Sequence, residues 1–449
     1  MTTDPDRRDE GDTPLDELMR RLMSGQFTPA DLEEVRSELA STFGMSLPPE
    51  MLAQAMSQVQ QMMSGPDEGP VQWSLAQDTA RKVAAAPDDE GRPDAVVSDS
   101  ARRSTVEALR TASMWLDAVT TVPPAALPER AWSRAEWVEA TLPTWQSLCT
   151  PVAEQVSSSL SGIVAGQLPD QFAAMAAQAD TMMRKMGGAV FGAQVGRAVG
   201  GLSAQVVSGH DIGLPLVTDG SIALLPANVT DFGAGLEVPE QEVLLYLALR
   251  EVAYARLFAH AGWLRARVLS AVTEFARGIT VDTAGLEEAV RSIDPTDPQA
   301  LQQAMASGMF EPQRTPAQQA VLTRLETTLA LVEGWVDEVT NAAAVKTLPE
   351  AARLREAVRR RRAVGGPAEH TLTTLVGLEL RPRRLREAAA LWAATALRHG
   401  EQARDEVWDH PDLMPTTQDL DDPLGYAERY RTSPDSDLDA ELRDLLDGK

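Results

Sequence analysis

The chain has 449 residues, room for two ordinary domains or one large one with appendages. Its net charge of −25 excludes general binding to nucleic acid, and the 5% aromatic content, with alanine, leucine and methionine in the core role, favours helices over sheets. A single cysteine, Cys149, excludes an internal disulfide framework.

The opening MTTDPDRRDEGD is acidic and polar and lacks the apolar centre of a signal peptide, so the expected location is the cytoplasm. Residues 1–95 read as a mobile helical N-terminal region and linker. Leu15 to Met23 and Pro29 to Phe43 have amphipathic spacing, and Met51, Met56, Met62 and Met63 form an apolar stripe suited to local packing or an adaptable partner surface. The linker is APDDEGRP, Ala86 to Pro93.

The main body spans residues 96–425. Ala101 to Val119 predicts a helix, Trp132 and Trp137 open a second, and Pro151 to Ala165 a third. Gln171 to Val207 predicts a long helix with Gly188, Gly192, Gly196 and Gly200 at every fourth position, a smooth stripe for close approach of another helix. Gln194, Arg197 and Gln205 within it favour a buried helix over a membrane span. Leu214 to Val217 and Ser221 to Leu225 flank Thr218-Asp219-Gly220 and predict a small sheet or hairpin beside the central helix.

Pro239 to Gly262 predicts the central helix. Val243, Leu244, Leu245, Leu247, Leu249, Val252, Leu257 and Phe258 cover most of its faces, so it is expected to be buried. Into that apolar rod fall Arg250, Glu251 and Tyr254, and buried charges are costly unless paired or useful. Trp263 to Gly278 continues helical, and two short capped helices surround PTDP at 295–298. Pro316 to Ala344 is a long helix with Glu333 in its second half. Between Arg353 and Arg386 stand ten arginines and three acids, which reads as a solvated face or as arginines paired with the acidic remainder; an anion or acidic-partner site is the minority reading. From Asp419 the chain reads as acidic and mobile, with residues 426–449 as the tail.

No phosphate-binding glycine loop or G-x-S-x-G elbow occurs, and His210, His260, His370, His399 and His410 lack metal-ligand spacing and read as surface or turn residues. The frame R-E-V-A-Y at 250–254 is that of H-E-x-x-H, where two histidines one turn apart bind zinc and the glutamate activates water. With ALLPANVTDFGAGLEVPEQEVLLYLALREVAYARLFAHAGWLRARV around it, and EGWVDEV and GGPAEHTLTTLVGLELRPRRLREAAALW further on, the chain resembles the zincin-like metallopeptidase family found in actinobacteria, over roughly residues 100 to 425.

The resemblance implies a mainly α, zincin-like helical domain with a small β element. It places Glu251 at the general base, Arg250 and Tyr254 at the two zinc-binding histidines, and Glu333 at a possible third ligand. His260 has the interval of a longer histidine motif, but Leu257 replaces its glycine, and a continuing helix puts His260 about 240° round from Tyr254. Arginine has no lone pair to give and tyrosine ligates only as phenolate, whereas zinc needs about three protein ligands. The expectation is therefore no bound metal or other cofactor, Glu251 as a vestigial base, and Arg250 pairing with Glu333 or Glu251 in place of the missing cation. The opposite expectation has Arg250 and Glu251 reaching solvent at a cleft edge. The leading function is a pseudoenzyme that binds a protein or peptide segment along the former cleft, with neither nucleic acid nor membrane as partner. The alternatives are an active zinc-dependent hydrolase with other ligands and a scaffolding protein.

Overall fold

A computed structural model describes residues 69–87, 94, 96–165, 173–278, 315–363, 367–378 and 384–430. The N-terminal helices and methionine stripe, the two helices around the PTDP turn, nearly all of the linker and the tail beyond Tyr430 lie outside the described residues.

Thirteen α-helices among the described residues make the fold mainly α. They are α1 (Trp73–Ala85), α2 (Asp99–Leu116), α3 (Arg134–Ala165), α4 (Ala173–Ser203), α5 (Pro226–Gly233), α6 (Glu240–His260), α7 (Gly262–Arg277), α8 (Pro316–Ala344), α9 (Ala351–Ala363), α10 (Pro367–Val376), α11 (Leu385–Glu406), α12 (Thr417–Asp421) and α13 (Pro423–Arg429). The β element is two three-residue strands, β1 (Glu129–Ala131) and β2 (Ile222–Leu224), paired in parallel with Arg130 opposite Ala223.

Local chemistry explains most boundaries. Ser98 caps α2 by accepting from the Ala101 amide. Thr315 and Gln318 close a capping box on α8, and Pro316 occupies a first-turn position where its missing donor is not needed. Pro239 is the N-cap of α6, and the helix ends at His260, with Gly262 opening α7 in place of the expected stop. The separate helices expected on either side of Pro151 are one element, α3, which runs through both Pro143 and Pro151.

The glycine stripe sets the tightest contact. A Cβ on Gly192 would lie 2.5 Å from the Gln72 carbonyl oxygen, on Gly196 2.5 Å from that of Ala76, and on Gly200 2.7 Å from that of Ala80. Glycine alone allows this approach, and Ala76, Ala80 and Ala84 on α1 are its buried counterparts. The residues before the linker thus include a helix packed on the body, ahead of the expected boundary at 95/96. At the other end, the segment expected to be a mobile tail from Asp419 is folded as far as Tyr430. Leu420 and Ala427 are buried, and the Tyr430 hydroxyl donates to the Ala403 carbonyl at 2.7 Å.

Of the small sheet or hairpin expected beside the central helix, the small sheet forms and the hairpin does not. Leu214 to Val217 is buried loop, and β2 pairs with β1, with only an isolated antiparallel bridge from Ser208 to Leu224. A strand of three residues takes its partner from tertiary packing, which overrides the Asp-Gly turn signal. No described helix is long and apolar enough to cross a membrane.

Candidate functional site

Helix α6 runs through the core, with every residue from Tyr246 to Leu257 buried. Its apolar side chains pack against α2, α8 and β2. The buried charges of α6 have to find partners inside the protein: Arg256 donates to the Ser113 carbonyl and to Asp117 at the end of α2, and three other neighbours surround Arg250 and Glu251.

The first is α8, which runs beside α6. Glu333 faces it: Arg250 donates through Nη2 to Glu333 Oε1, and the Tyr254 hydroxyl donates to Oε2. Arg250 is 6% exposed, Tyr254 1% and Glu333 3%, so the cluster is closed to water and the expectation of a solvent-facing cleft edge fails. Burial works against the charge on Arg250, but Glu333, with Tyr246 and Asp337 behind it, outweighs that and raises its pKa. The guanidinium also lies 5.9 Å from the centre of the Tyr254 ring.

The second neighbour is α9, the start of the arginine-rich stretch. Arg362 reaches Glu333 Oε2 at 3.3 Å and donates to the Asp211 carbonyl. Arg361 pairs with the Asp211 carboxylate at 3.0 Å. Arg355 and Arg359 converge on Asp337, one turn beyond Glu333, at 2.7 and 2.6 Å. Burial pushes the Asp337 carboxyl up, but the hydrogen bonds from Arg355 and Arg359 overcome it and hold its pKa below the usual value. Asp211 is depressed in the same way, burial being outweighed by Arg361 and Arg362. Arginine pairing with buried acids thus accounts for this part of the stretch. It is the geometry in which removing one charge strands another.

The third neighbour is the loop from Val206 to Val217. Glu251, fully buried, bonds to this loop. Its Oε2 accepts from the His210 backbone N–H at 3.0 Å; its Oε1 accepts from Nδ1–H of the His210 ring at 3.0 Å and from the Ala223 N–H of β2 at 3.1 Å. The His210 ring stacks on Tyr254 and Phe258, with centroids 6.2 and 5.7 Å away. Gly213, at φ +77°, lets the loop turn over the cluster: a Cβ there would lie 3.7 Å from the Tyr254 hydroxyl.

The structure therefore brings Arg250, Tyr254 and Glu333 together and holds Glu251 in a separate set of bonds, to the loop and to β2. His260 stands apart at the surface, paired with Asp409 at 3.0 Å. His210, read from sequence as a surface or turn residue, is a turn residue but not a surface one: it is 3% exposed and central. Asp211 and Arg362 were not singled out as site residues. The one local sign of His210 and Asp211 was their polar pair set among glycines and apolar residues, and Arg362 showed only as one of the ten arginines between Arg353 and Arg386. Among the described residues no three histidine, cysteine or acidic side chains are placed to share a metal ion.

Residues 71–427 match the family described as zincin-like metallopeptidase. The chain belongs to that family. The match takes in α1 and ends within α13, so the family's shared region contains every element around Glu251 and Glu333. A crystal structure from Chloroflexus aurantiacus, titled "a putative hydrolase with a novel fold", is similar to this chain with a TM-score of 0.55 and 18% identity. The similarity covers 80% of this chain and 98% of that one, and establishes a shared fold. No curated protein matches the chain.

Proposed function

We propose that this zincin-like protein does not hydrolyse peptides and acts by binding a protein or peptide segment. The observation that carries the reading is the Arg250–Glu333–Tyr254 cluster. In the family frame, Arg250 and Tyr254 stand where zinc-binding histidines belong and Glu333 where a third ligand belongs. A guanidinium cannot ligate a cation, and it delivers to Glu333 the positive charge an ion would have supplied.

Zinc, which the family implies, does not fit the donors present. Arg250 and Arg362 bring two positive charges to Glu333. Tyr254 uses its hydroxyl proton on the same carboxylate. Both oxygens of Glu251 are taken by the loop and β2. A catalytic zinc site needs about three protein ligands and an open position, and this cluster offers one carboxylate.

The test is metal content and hydrolysis measured together. The full chain, incubated with zinc and then dialysed, is expected to hold far less than one zinc per chain. A mixed fluorogenic peptide library is expected to show no cleavage that a chelator removes. One zinc retained per chain, with chelator-sensitive cleavage, overturns the reading in favour of a zinc-dependent hydrolase.

A further inference from the structure

The start of α6, Glu240 to Leu245, is more open than the buried stretch from Tyr246 to Leu257. Together with α2 and α5 it encloses an open groove of about 900 Å³, a volume at the upper end of those that hold ligands. Ala108, Trp115, Val229, Val243 and Leu244 give it an apolar lining. Two exposed acids, Glu107 on α2 and Glu240 on α6, stand at its rim, and no lysine or arginine lines it. Neither carboxylate has an ion-pair or hydrogen-bond partner among the described residues, whereas Glu242, nearby, accepts from the Glu350 amide at 3.0 Å.

We infer that this groove takes a short basic, apolar segment of a partner protein, its apolar side chains on the α2–α5–α6 lining and a lysine or arginine at each rim acid. The inference rests on the non-hydrolytic reading above and gives that binding role a place and a chemistry. Charge decides the occupant. A cationic segment pairs with Glu107 and Glu240 and is drawn in by a chain of net charge −25. A second copy of this chain brings the same excess of negative charge, and the arginines of α9 that could offset it are largely spent on Asp337, Asp211 and Glu333.

The experiment titrates the full chain into a fluorescein-labelled amphipathic leucine–lysine peptide at physiological salt, reading anisotropy, with the leucine–glutamate counterpart alongside. The lysine peptide is expected to bind and the glutamate peptide not to. Reversing the rim with Glu107→Lys and Glu240→Lys is expected to weaken binding about tenfold or more. Filling the groove from an exposed position with Thr230→Trp is expected to do the same with net charge unchanged. The control pair Glu154→Lys and Glu401→Lys, exposed residues outside the groove, makes the same change in net charge and is expected to cost less than about threefold. Equal losses in the rim and control pairs, no effect of Thr230→Trp, or no binding of the lysine peptide overturns the inference. Mass spectrometry of the recovered peptide separates the two claims. Chelator-sensitive cleavage with binding still lost in the groove variants sinks the non-hydrolytic reading alone, and an intact peptide bound regardless of the groove variants sinks the groove alone.

Discussion

Replacing Arg250 with methionine keeps most of the side chain's length and apolar contact and removes its charge. Glu333, whose side chain is only 4% exposed, then loses its principal cation in a place water does not reach. Removing one partner of a buried pair costs about 3–5 kcal/mol. The lower end applies, because the Tyr254 hydroxyl and Arg362, at 3.3 Å, still face the carboxylate. The expected loss is therefore about 3 kcal/mol. Glu333→Gln strands the guanidinium instead and is expected to cost a similar amount. Combining Arg250→Met with Glu333→Leu removes both charges, and apolar replacement of a buried pair is often close to neutral. The double variant is expected to be more stable than the summed singles by about 2 kcal/mol. Urea unfolding followed by the fluorescence of the nine tryptophans reads these differences. An Arg250→Met protein within about 0.5 kcal/mol of the native chain, with an additive double variant, would refute the claim that Arg250 is a buried counter-charge to Glu333.

The same cluster predicts which substitutions would build a zinc site. Arg250→His with Tyr254→His restores the zinc-binding frame, but Arg362 still competes for Glu333; adding Arg362→Gln is expected to tighten zinc affinity about tenfold or more over the double variant, measured by competition with a chromogenic chelator. In the glycine stripe, Gly196→Ala puts a Cβ 2.5 Å from a backbone oxygen of α1 and is expected to cost about 1–3 kcal/mol. Gly201→Ala, with nothing within 4 Å, is expected to be neutral or stabilising by up to about 1 kcal/mol; thermal unfolding of the pair checks both. Acid is expected to weaken the fold through Asp337, Asp211 and Asp405, the last buried where hydrogen bonds from Arg404, Thr120 and Trp335 outweigh burial, all three carboxyls being held below the usual aspartate pKa in the folded chain. A carboxylate depressed by folding contributes its stability above the unfolded value and loses it as pH falls through the folded one. The decline should therefore fall below about pH 4, and Asp337→Asn, less stable at neutral pH, should flatten it in urea midpoints taken against pH.

The long helices were legible because their signals are local. The apolar rod of α6 and the every-fourth glycines of α4 each lie within one element. The tension at Arg250 was legible for the same reason: a charge in a rod apolar on most faces needs a buried partner, and Glu333 sat in another such rod. What failed depends on contacts distant in sequence. Strand β1 lies far from β2 and carries no alternating pattern, so the turn at Thr218-Asp219-Gly220 pointed to the wrong partner. Helix α1 looked like part of an appendage because composition marks the linker after it, while its alanines say nothing of the glycines they meet. His210 has no ligand spacing, and its importance lies in a backbone N–H and a ring that meet Glu251. The arginine-rich stretch showed its excess of charge but not its partners, since Asp211 and the Asp337-Glu338 pair lie on other elements, distant in sequence.

The bonds around Glu251 change what a familiar experiment means. Swapping the glutamate for glutamine is the usual control for a suspected metallopeptidase, and lost activity is then taken as lost chemistry. Here Glu251 is the acceptor for two buried backbone amides, at His210 and Ala223, and for a ring nitrogen. Glutamine keeps one oxygen and turns a second donor toward donors. A loop and a strand would lose part of their anchorage, at about 1–3 kcal/mol for each amide left without a partner. An inactive Glu251→Gln preparation would therefore report a loosened scaffold as readily as a missing base, and the glutamate's presence in the chain is accounted for by what it holds.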